Sequence, residues 1–382
     1  MYNLAIVKSR AIKPSETFVM QHATHLANVR IFAESFPVRV HTPPFDSAAI
    51  LAPPTQSFLT RAINTPLGAY IADPFVHRAR TATYMKIFRE HRINVILAEF
   101  GPSGVNVLSA ANTLGIPVIC NFHGYDAFDR RALKLYSAQY KKLFHSAVGL
   151  IAVSQEMQKQ LVALGAPQEK VVVWNYGVDT EFFHPAPSPP SRSPFTFLSV
   201  GRLVEKKGTI YSLQAFADFH KKQPNSVYNI VGSGPREHVL RQYVRNQNLQ
   251  DSVHFLGALS HIQVREVLRQ SHVLLHHAVE GRYGDREGTP LVIQEAMACG
   301  VPVIGTRHAG IVHEIDDGVS GYLIHEKDVQ AMTSCMEKLY ADEIHWQAVS
   351  RAARAKILSQ FSSSAQMQIL DTIISSLCKA VA

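Results

Sequence analysis

The chain has 382 residues, of which 46% are hydrophobic and 18% are charged, and its formal net charge is +8. This length exceeds that of one ordinary hydrophobic core and predicts two domains. No apolar run reaches the ~18 residues that a membrane-spanning helix needs, and the N-terminal residues lack a signal-peptide pattern. Four scattered cysteines favour a reduced, cytoplasmic setting. The basic excess favours contact with phosphates, an anionic lipid surface or nucleic acid, or is spread diffusely over the surface.

Short apolar runs alternate with longer helical patterns along the chain, which predicts parallel sheets covered by helices. In the first half we expect strands at residues 4–7, 38–40, 95–98, 118–121, 149–153 and 171–174. Helical patterns lie around residues 16–30, 79–91, 103–114 and 130–145. In the second half we expect strands at residues 195–200, 228–231, 253–255, 273–275, 301–304 and 321–323.

A proline-rich stretch separates the two halves. Residues 184–194 contain five prolines, which cannot continue a helix or a central strand. We therefore predict a first domain at residues 1–183, a linker at 184–194 and a second domain at 195–363. The closing segment, residues 364–382, has apolar side chains at helical spacing. These side chains are Met367, Leu370, Ile373, Ile374 and Leu377.

The most informative segment is residues 287–305, which carries two carboxylates, Glu287 and Glu295. Glu287 stands before a predicted helix and Glu295 lies inside it. Thr289 is the expected cap of that helix, and Pro290 suits its first turn. The free N–H groups of a helix start bind anions. The segment therefore predicts a phosphate site flanked by two acids that bind hydroxyl groups, which suits a sugar nucleotide.

Basic and glycine residues follow two further strands of the second half. Gly201 permits a tight exit from the first of them, and Arg202 and Lys207 follow where ligands bind in parallel sheets. Both side chains suit a pyrophosphate, although a solvated basic turn is the alternative. Gly232 and Gly234 follow the next strand, but without the third glycine of a dinucleotide fingerprint, so a nicotinamide cofactor is not expected.

The first half offers a histidine and an acidic loop. His123 follows a strand, where it would face a cleft and hydrogen-bond to a sugar, unless local backbone groups satisfy it. Ser15 and Glu16 lie after the first strand, either in a loop at the cleft or as a helix cap, and both roles are compatible. His272, His276 and His277 flank a strand rather than sharing a helix face, which argues against a metal site. Nucleic acid is not expected, because no recognised motif or aromatic-basic interleaving is present.

Taken together, these segments resemble retaining glycosyltransferases of family 4. The resemblance is carried by Pro-Ser-Glu-Thr-Phe at residues 14–18, His-Gly-Tyr-Asp at 123–126, Val-Ser-Gln-Glu-Met at 153–157, residues 175–185, Phe-Leu-Gly at 255–257 and the paired-glutamate segment. It implies the α/β GT-B fold, with two Rossmann-like, doubly wound domains facing a central cleft. It also implies that the C-terminal helix crosses back to the first domain.

The resemblance implies a role for each matching residue. Arg202 and Lys207 would hold the donor diphosphate, Glu287 would contact the transferred sugar, and Glu295 would bind the ribose hydroxyls. His123 would lie near the transferred sugar at the junction of donor and acceptor. The remaining implied donor-binding residues are Gly201, Gly232, Gly234, Gly257, Gly288, Thr289, Leu291 and Val292. The implied acceptor or cleft-loop residues are Ser15, Glu16 and Asp126.

The implied reaction is hexosyl transfer from a UDP- or GDP-sugar to a saccharide acceptor, with the leaving phosphate helping to deprotonate the acceptor hydroxyl. No metal or other cofactor is expected. Residues 9–17 replace the Gly-Gly loop of many relatives, which resembles the subgroup that makes bacterial exopolysaccharide, colanic-acid-type or lipopolysaccharide precursors. The acceptor is therefore expected to be lipid-linked. The alternatives are a sugar-nucleotide epimerase or hydrolase, and a non-catalytic sugar-nucleotide-binding protein.

A basic helical stretch adds an expectation about localisation. Arg130, Arg131, Lys134, Lys141 and Lys142 lie on or beside one helix of the first domain, next to apolar and aromatic residues. Such a face either rests on an anionic membrane or is an ordinary solvated surface. The protein is expected in the cytoplasm, with peripheral contact to the inner face of the cell membrane.

Overall fold

The structure is a computed structural model that describes residues 2–10, 16–34, 38–45 and 74–379. The chain divides into two compact units. The first comprises Met1–Asn175 together with Gln366–Ala382, and the second comprises Tyr176–Ala365. The division falls before the predicted linker, and residues 184–194 belong to the second unit. Part of the reason is that Phe183, just before them, is buried in the second unit's core, and the Arg192 guanidinium within them stacks over Phe195, 5.0 Å from the ring centroid.

The first unit is built on a sheet whose described strands follow the order β3-β2-β1-β4-β5-β6-β7. All neighbours are parallel except β2 and β3, which are antiparallel. The strands are β1 (Leu4–Lys8), β2 (Val29–Glu34), β3 (Arg39–His41), β4 (Val95–Glu99), β5 (Val118–Phe122), β6 (Gly149–Ala152) and β7 (Val171–Val173). The helices described here are α1 (Thr17–His25), α2 (Pro74–Glu90), α3 (Gly101–Leu114), α4 (Tyr125–Phe128), α5 (Arg130–Ser146) and α6 (Gln155–Ala163).

The predicted helix at residues 16–30 is too long, because strand β2 begins at Val29. Helix α1 ends at His25, and Asn28 then turns the chain with a φ of 59°. Val29, Ile31 and Phe32 are buried, and β2 pairs with β1 in parallel. β-branched residues favour a strand where they can pack against a sheet, and this tertiary contact outweighs the local helical pattern.

The second unit is built on a wholly parallel sheet whose described strands follow the order β10-β9-β8-β11-β12-β13. The strands are β8 (Phe195–Val200), β9 (Ser226–Val231), β10 (Val253–Gly257), β11 (Val273–His276), β12 (Val303–Thr306) and β13 (Gly321–Ile324). The described helices of this unit are α7 (Thr209–Lys222), α8 (Glu237–Asn246), α9 (His261–Arg269), α10 (Leu291–Ala298), α11 (Ile311–Glu314), α12 (Val329–Ala341) and α13 (Glu343–Gln360), and α14 (Ser363–Lys379) follows them along the chain. Two parallel α/β units confirm the predicted fold class.

Strand β12 begins two residues later than predicted. The N–H of Val301 donates to the carbonyl of Ala296 and so closes helix α10. Pro302 has no N–H to offer a ladder, although its carbonyl accepts from Leu274 at 2.9 Å. The regular ladder with β11 and β13 therefore starts at Val303.

Most of helix α14 packs on the first unit, as predicted for the C-terminal helix. Met367, Leu370 and Ile374 are buried. The indole N–H of Trp174 donates to the carbonyl of Gln366 at 3.0 Å. Over the described residues, no helix is long and apolar enough to cross a membrane.

Candidate active site

The predicted donor-binding residues lie at the carboxyl ends of neighbouring strands of the second unit. Gly201 and Arg202 follow β8, Gly232 and Gly234 follow β9, and Gly257 ends β10. The turns contact one another directly, because the N–H of Gly232 donates to the carbonyl of Gly257 at 2.7 Å. Gly232 has a φ of 126°, and a Cβ there would lie 1.9 Å from the carbonyl oxygen of Gly201. Only glycine allows this close approach of two turns.

Glu287 and Lys207 meet at this edge of the sheet. The Lys207 ammonium lies 2.9 Å from Oε2 of Glu287, and the Lys206 ammonium lies 3.4 Å from Oε1. Burial alone would raise the pKa of the Glu287 carboxyl, but the charge of Lys207, then that of Lys206, holds this pKa well below its usual range. Glu287 is therefore an ionised carboxylate at neutral pH, held between two cations.

Arg202 lies in the same turn but is exposed. Across the part of the chain that the structure describes, no side-chain hydrogen bond or ion pair engages its guanidinium. An exposed guanidinium at the carboxyl end of β8 could bind an anion such as a diphosphate.

Helix α10 begins one residue later than predicted. Its first residue is Leu291, and Pro290 is the N-cap residue, so Thr289 does not cap the helix. Gly288, Thr289 and Pro290 form a buried turn that leads into it, and the carbonyl of Gly288 accepts from the N–H of Gly310 at 2.9 Å. Leu291 and Val292 stand in the first turn of the helix, where backbone N–H groups point towards its N-terminal end.

Glu295 lies one helical turn further on and points towards helix α9. Its Oε1 lies 3.1 Å from Nε2 of His261, and this hydrogen bond raises the pKa of His261 although burial opposes the shift. The His261 ring also stacks on Phe182, at 5.4 Å between ring centroids. Glu295 therefore keeps one oxygen in contact with a partly exposed imidazole, which a polar ligand could replace.

His123 belongs to a buried cluster in the first unit. Its Nε2 lies 2.8 Å from Oε2 of Glu99, and Nδ1 of His22 lies 2.6 Å from Oε1 of the same carboxylate. The His123 ring packs against Phe18 and Phe100, at centroid distances of 4.5 and 4.3 Å. Burial would raise the pKa of Glu99, but His22 and His123 lower it to about 2. One ionised carboxylate thus orients two imidazoles.

The three predicted cleft-loop residues have different positions. Asp126 is completely buried, and its carboxylate accepts the backbone N–H groups of Gly101, His123 and Gly124 at 2.9–3.0 Å. It therefore fixes the loop that carries His123. Glu16 is the N-cap residue of α1, makes no side-chain capping bond, and forms an ion pair with Lys8 at 3.1 Å. Ser15 lies outside the described residues, and the predicted capping box places the helix start one residue too early.

The three histidines around β11 are buried and lie among backbone groups of the second unit. Nδ1 of His272 accepts from the N–H of Thr196, and Nε2 of His277 accepts from the N–H of Lys327. Burial lowers the pKa of His276 to about 3. In the parts of the chain that the structure covers, no three His, Cys, Asp or Glu side chains are grouped so that they could hold a metal ion.

Comparison with known proteins identifies the family. A family model described as glycosyltransferase family 4 matches residues 15–182, and one described as glycosyl transferases group 1 matches residues 181–356. The chain is 32% identical over 296 residues to WcaL of Escherichia coli strain K12, which is named as a colanic acid biosynthesis glycosyltransferase, covering 76% of this chain and 71% of WcaL. The chain belongs to glycosyltransferase family 4.

Other similar proteins agree with this assignment. The amylovoran biosynthesis glycosyltransferase AmsK of Erwinia amylovora is 31% identical over 271 residues, covering 70% of this chain and 67% of AmsK. The solved structure of HepE from Anabaena with UDP-glucose shares the fold, with a TM-score of 0.76 at 19% identity over 98% of this chain and 99% of HepE. Sucrose-phosphate synthase from Thermosynechococcus elongatus gives a TM-score of 0.74 at 16% identity, over 99% and 100% of the two chains. The predicted GT-B glycosyltransferase, with exopolysaccharide glycosyltransferases among its relatives, is confirmed.

Sequence reasoning missed several residues of this candidate site. Lys206 binds Asp285 and the carbonyl of Arg286, both at 3.1 Å, as well as Glu287. Burial would lower the pKa of Lys206, but Glu287 and then Asp285 raise it. The doubled lysine at residues 206–207 was the available signal, but its partners lie about 80 residues away in sequence. Glu99, His22 and His261 also went unpredicted, because each acts through a contact distant in the chain.

Proposed function

We propose that this glycosyltransferase transfers a hexose from a UDP- or GDP-sugar to a saccharide acceptor with retention of the anomeric configuration. The observation that carries the proposal is the pairing of ionised Glu287 with Lys207 beside the start of helix α10. A carboxylate that accepts hydrogen bonds from sugar hydroxyls then stands next to a cation for the diphosphate. That HepE was solved with UDP-glucose supports a nucleotide-sugar donor.

In the proposed reaction the bond between the anomeric carbon and the β-phosphate oxygen breaks, and the acceptor oxygen bonds to the same face of that carbon. The acceptor proton passes to the departing phosphate. Arg202 and Lys207 stabilise the charge that develops on this phosphate, and Glu287 positions the sugar. Since these cations and the helix start supply positive charge, the proposal requires neither a metal nor another cofactor.

His123 would meet the transferred sugar where donor and acceptor join. Its hydrogen bond to Glu99 supports such a role, because the ring is already held in position before a sugar binds. Glu295 would exchange its contact with His261 for the ribose hydroxyls. Backbone N–H groups from Gly288 to Val292 would bind phosphate or sugar oxygens.

The proposed acceptor is a lipid-linked saccharide precursor at the inner face of the cell membrane. Similarity to WcaL and AmsK supports a polysaccharide precursor. An exposed basic surface supports contact with anionic lipid, and we call it the α5 basic face. It consists of Arg130, Arg131, Lys134, Lys141 and Lys142, all exposed.

The function is tested first by a donor screen, in which UDP-, GDP- and ADP-sugars are compared by thermal shift and by their slow hydrolysis. With the donor found, Lys207→Ala and Glu295→Ala should each lower transfer by roughly 10²-fold or more, because each removes a charged donor contact. Lys221→Ala and Glu266→Ala are matched controls at exposed positions of the same unit.

Near-normal turnover in both site variants would contradict the proposal. Isomerisation of the sugar nucleotide without an acceptor would favour an epimerase instead. Nucleotide binding with no transfer to any of a broad panel of acceptors would favour a non-catalytic binding protein.

A further inference from the structure

One acidic side chain holds both ends of the loop that carries Glu287. This loop, residues 280–287, joins strand β11 to the turn before helix α10. At its start, the N–H of Glu280 donates to Oε2 of Glu326 at 3.1 Å. At its end, the N–H of Glu287 lies 3.2 Å from Nε2 of His308, whose Nδ1 lies 2.6 Å from Oε1 of the same Glu326. Glu326 therefore reaches Glu287 through the imidazole of His308.

These contacts determine which nitrogen of His308 carries the proton. A backbone N–H can only donate, so Nε2 accepts and is unprotonated. The proton is then on Nδ1, which donates to the Glu326 carboxylate. Burial would raise the pKa of Glu326, but the hydrogen bonds from His308 and from the Glu280 amide lower it, so this carboxylate is ionised. Both hydrogen bonds of His308 therefore form only when Nδ1 carries the proton, Nε2 does not, and Glu326 is ionised.

The imidazole is held rigidly in place. The His308 side chain is 1% exposed, so water cannot substitute for its partners. The hydroxyl of Thr306, just before it, donates to the carbonyl of Ala278 at 2.7 Å. A Cβ on Gly310, just after it, would lie 2.5 Å from the carbonyl oxygen of Gly288. The turn at residues 306–310 is therefore packed directly against the turn that follows Glu287.

We propose that His308 and Glu326 are positioning residues that fix the backbone of Glu287 and thereby aim its carboxylate at the transferred sugar. The inference rests on the proposed function of Glu287 as the sugar-binding carboxylate. Lys206 and Lys207 hold the carboxylate oxygens, whereas the contact with His308 holds the backbone N–H of Glu287 itself, from which the side chain extends. A small shift of that point tilts the carboxylate away from the sugar hydroxyls, which lowers the rate more than the affinity for the nucleotide.

Two amide substitutions separate the two hydrogen bonds of His308. The terminal amide of glutamine stands as far from the backbone as Nε2, so His308→Gln retains an acceptor for the Glu287 N–H. The amide of asparagine stands at the level of Nδ1, so His308→Asn retains only a donor for Glu326. These variants are assayed with the nucleotide sugar that the screen identifies. His308→Asn should lower kcat roughly 10²-fold at a nearly unchanged KM, whereas the kcat of His308→Gln should stay within about tenfold of the wild-type value. His325→Asn and His325→Gln, at an exposed neighbouring histidine, are the controls.

Hydrogen exchange supplies a readout that does not require the nucleotide-sugar donor to be known. The amide of Glu287 is protected by its bond to His308, so a peptide spanning residues 281–288 should exchange faster in His308→Asn than in His308→Gln, while the thermal midpoints of the two variants stay similar. Should His308→Asn not fold, Glu326→Ala carries the same test, because the Glu326 side chain is 32% exposed and easier to replace.

Equal kcat values for His308→Asn and His308→Gln in an active enzyme would overturn the inference, as would unchanged exchange of the Glu287 amide in His308→Asn. Failure of the wild-type protein to transfer sugar from any donor is a different result. It would remove the proposed function, while the exchange experiment would still decide whether His308 holds the loop.

Discussion

At the scale of single residues, Glu99 determines how the imidazole ring of His123 is oriented. Nε2 of His123 lies 2.8 Å from Oε2 of the Glu99 carboxylate, and this contact fixes the position of the ring. Nδ1 of His22 lies 2.6 Å from Oε1 of the same carboxylate, so one side chain holds both imidazoles in place.

The same carboxylate predicts how stability depends on pH. Burial raises the pKa of Glu99, but His22 and His123 together lower it from 4.5 to about 2 in the folded chain. A lowered pKa stabilises the fold above pH ~4.5, and this contribution is lost as the pH falls towards about 2. Glu99→Gln should therefore lower the free energy of unfolding by about 3 kcal/mol at pH 7, and by about 1 kcal/mol less than that at pH 4. Urea denaturation at the two pH values measures both.

Glu90→Gln is a matched control, since Glu90 is exposed and pairs only loosely with Lys86, at 3.8 Å. It should change the free energy of unfolding by less than about 0.5 kcal/mol at either pH. A deficit in Glu99→Gln that is as large at pH 4 as at pH 7 would show that Glu99 stabilises the fold through its shape and not its charge.

At the scale of elements, the sequence predicts strands that stand apart from the helical patterns as short, largely apolar runs. Strands β5 and β8 are of this kind, and most of their residues are buried. Strand β2 is not predicted, because the residues before it form a helix and no turn signal other than Asn28 separates the helix from the strand. Its Val29 and Ile31 become informative only when β1 lies beside them.

In the candidate site, contacts that follow from the order of the strands can likewise be predicted, whereas contacts that depend on the packing of turns cannot. Lys207 and Glu287 are far apart in sequence but follow the neighbouring strands β8 and β11, so the rule that ligands bind at strand carboxyl ends brings them together. His308 and Glu326 follow β12 and β13, yet their contacts depend on how the turns at these strand ends pack. The motif of Asp126 is typical of an acid that faces a ligand, but its burial and its hydrogen bonds from three backbone N–H groups show that it holds the loop.

Helix α5 makes a separate prediction about membranes. Its buried side is formed by Ala132, Tyr136, Tyr140 and Leu143, whereas the α5 basic face is exposed. Replacing Lys134, Lys141 and Lys142 together by Gln should reduce sedimentation with vesicles that contain phosphatidylserine, by roughly tenfold or more in affinity, since each lysine near such a surface contributes about 1 kcal/mol. Vesicles of phosphatidylcholine alone should bind neither protein.

A second triple variant controls for net charge. In it, Gln replaces three exposed lysines of the second unit, Lys221, Lys222 and Lys338, while Lys206 and Lys207 are left unchanged. If both triple variants lose vesicle binding equally, the attraction is a property of the total charge, and the α5 basic face is an ordinary solvated surface.

At the scale of the whole molecule, the chain leaves the first unit after Asn175 and returns to it at Gln366. The first unit is therefore completed by the last residues of the chain. Gly149 is packed against the helix that returns, since a Cβ there would lie 2.4 Å from Cδ1 of Leu377. The hydroxyl of Tyr2 also bonds to the carboxylate of Asp371. Both ends of the chain thus contribute to one core.

This connection predicts that a substitution near the C-terminus destabilises the unit that contains the N-terminus. Leu370 is completely buried in α14, and Leu370→Ala should cost about 2–5 kcal/mol, because it leaves a cavity against the first unit. Hydrogen exchange should accordingly become faster in the amides of β1 and β6, while those of β8 and β9 in the second unit keep their protection. Ile369→Ala, at a neighbouring side chain that is 46% exposed, should leave both sets unchanged. Faster exchange in β8 and β9 of the Leu370→Ala variant would mean that the two units unfold together as one cooperative structure.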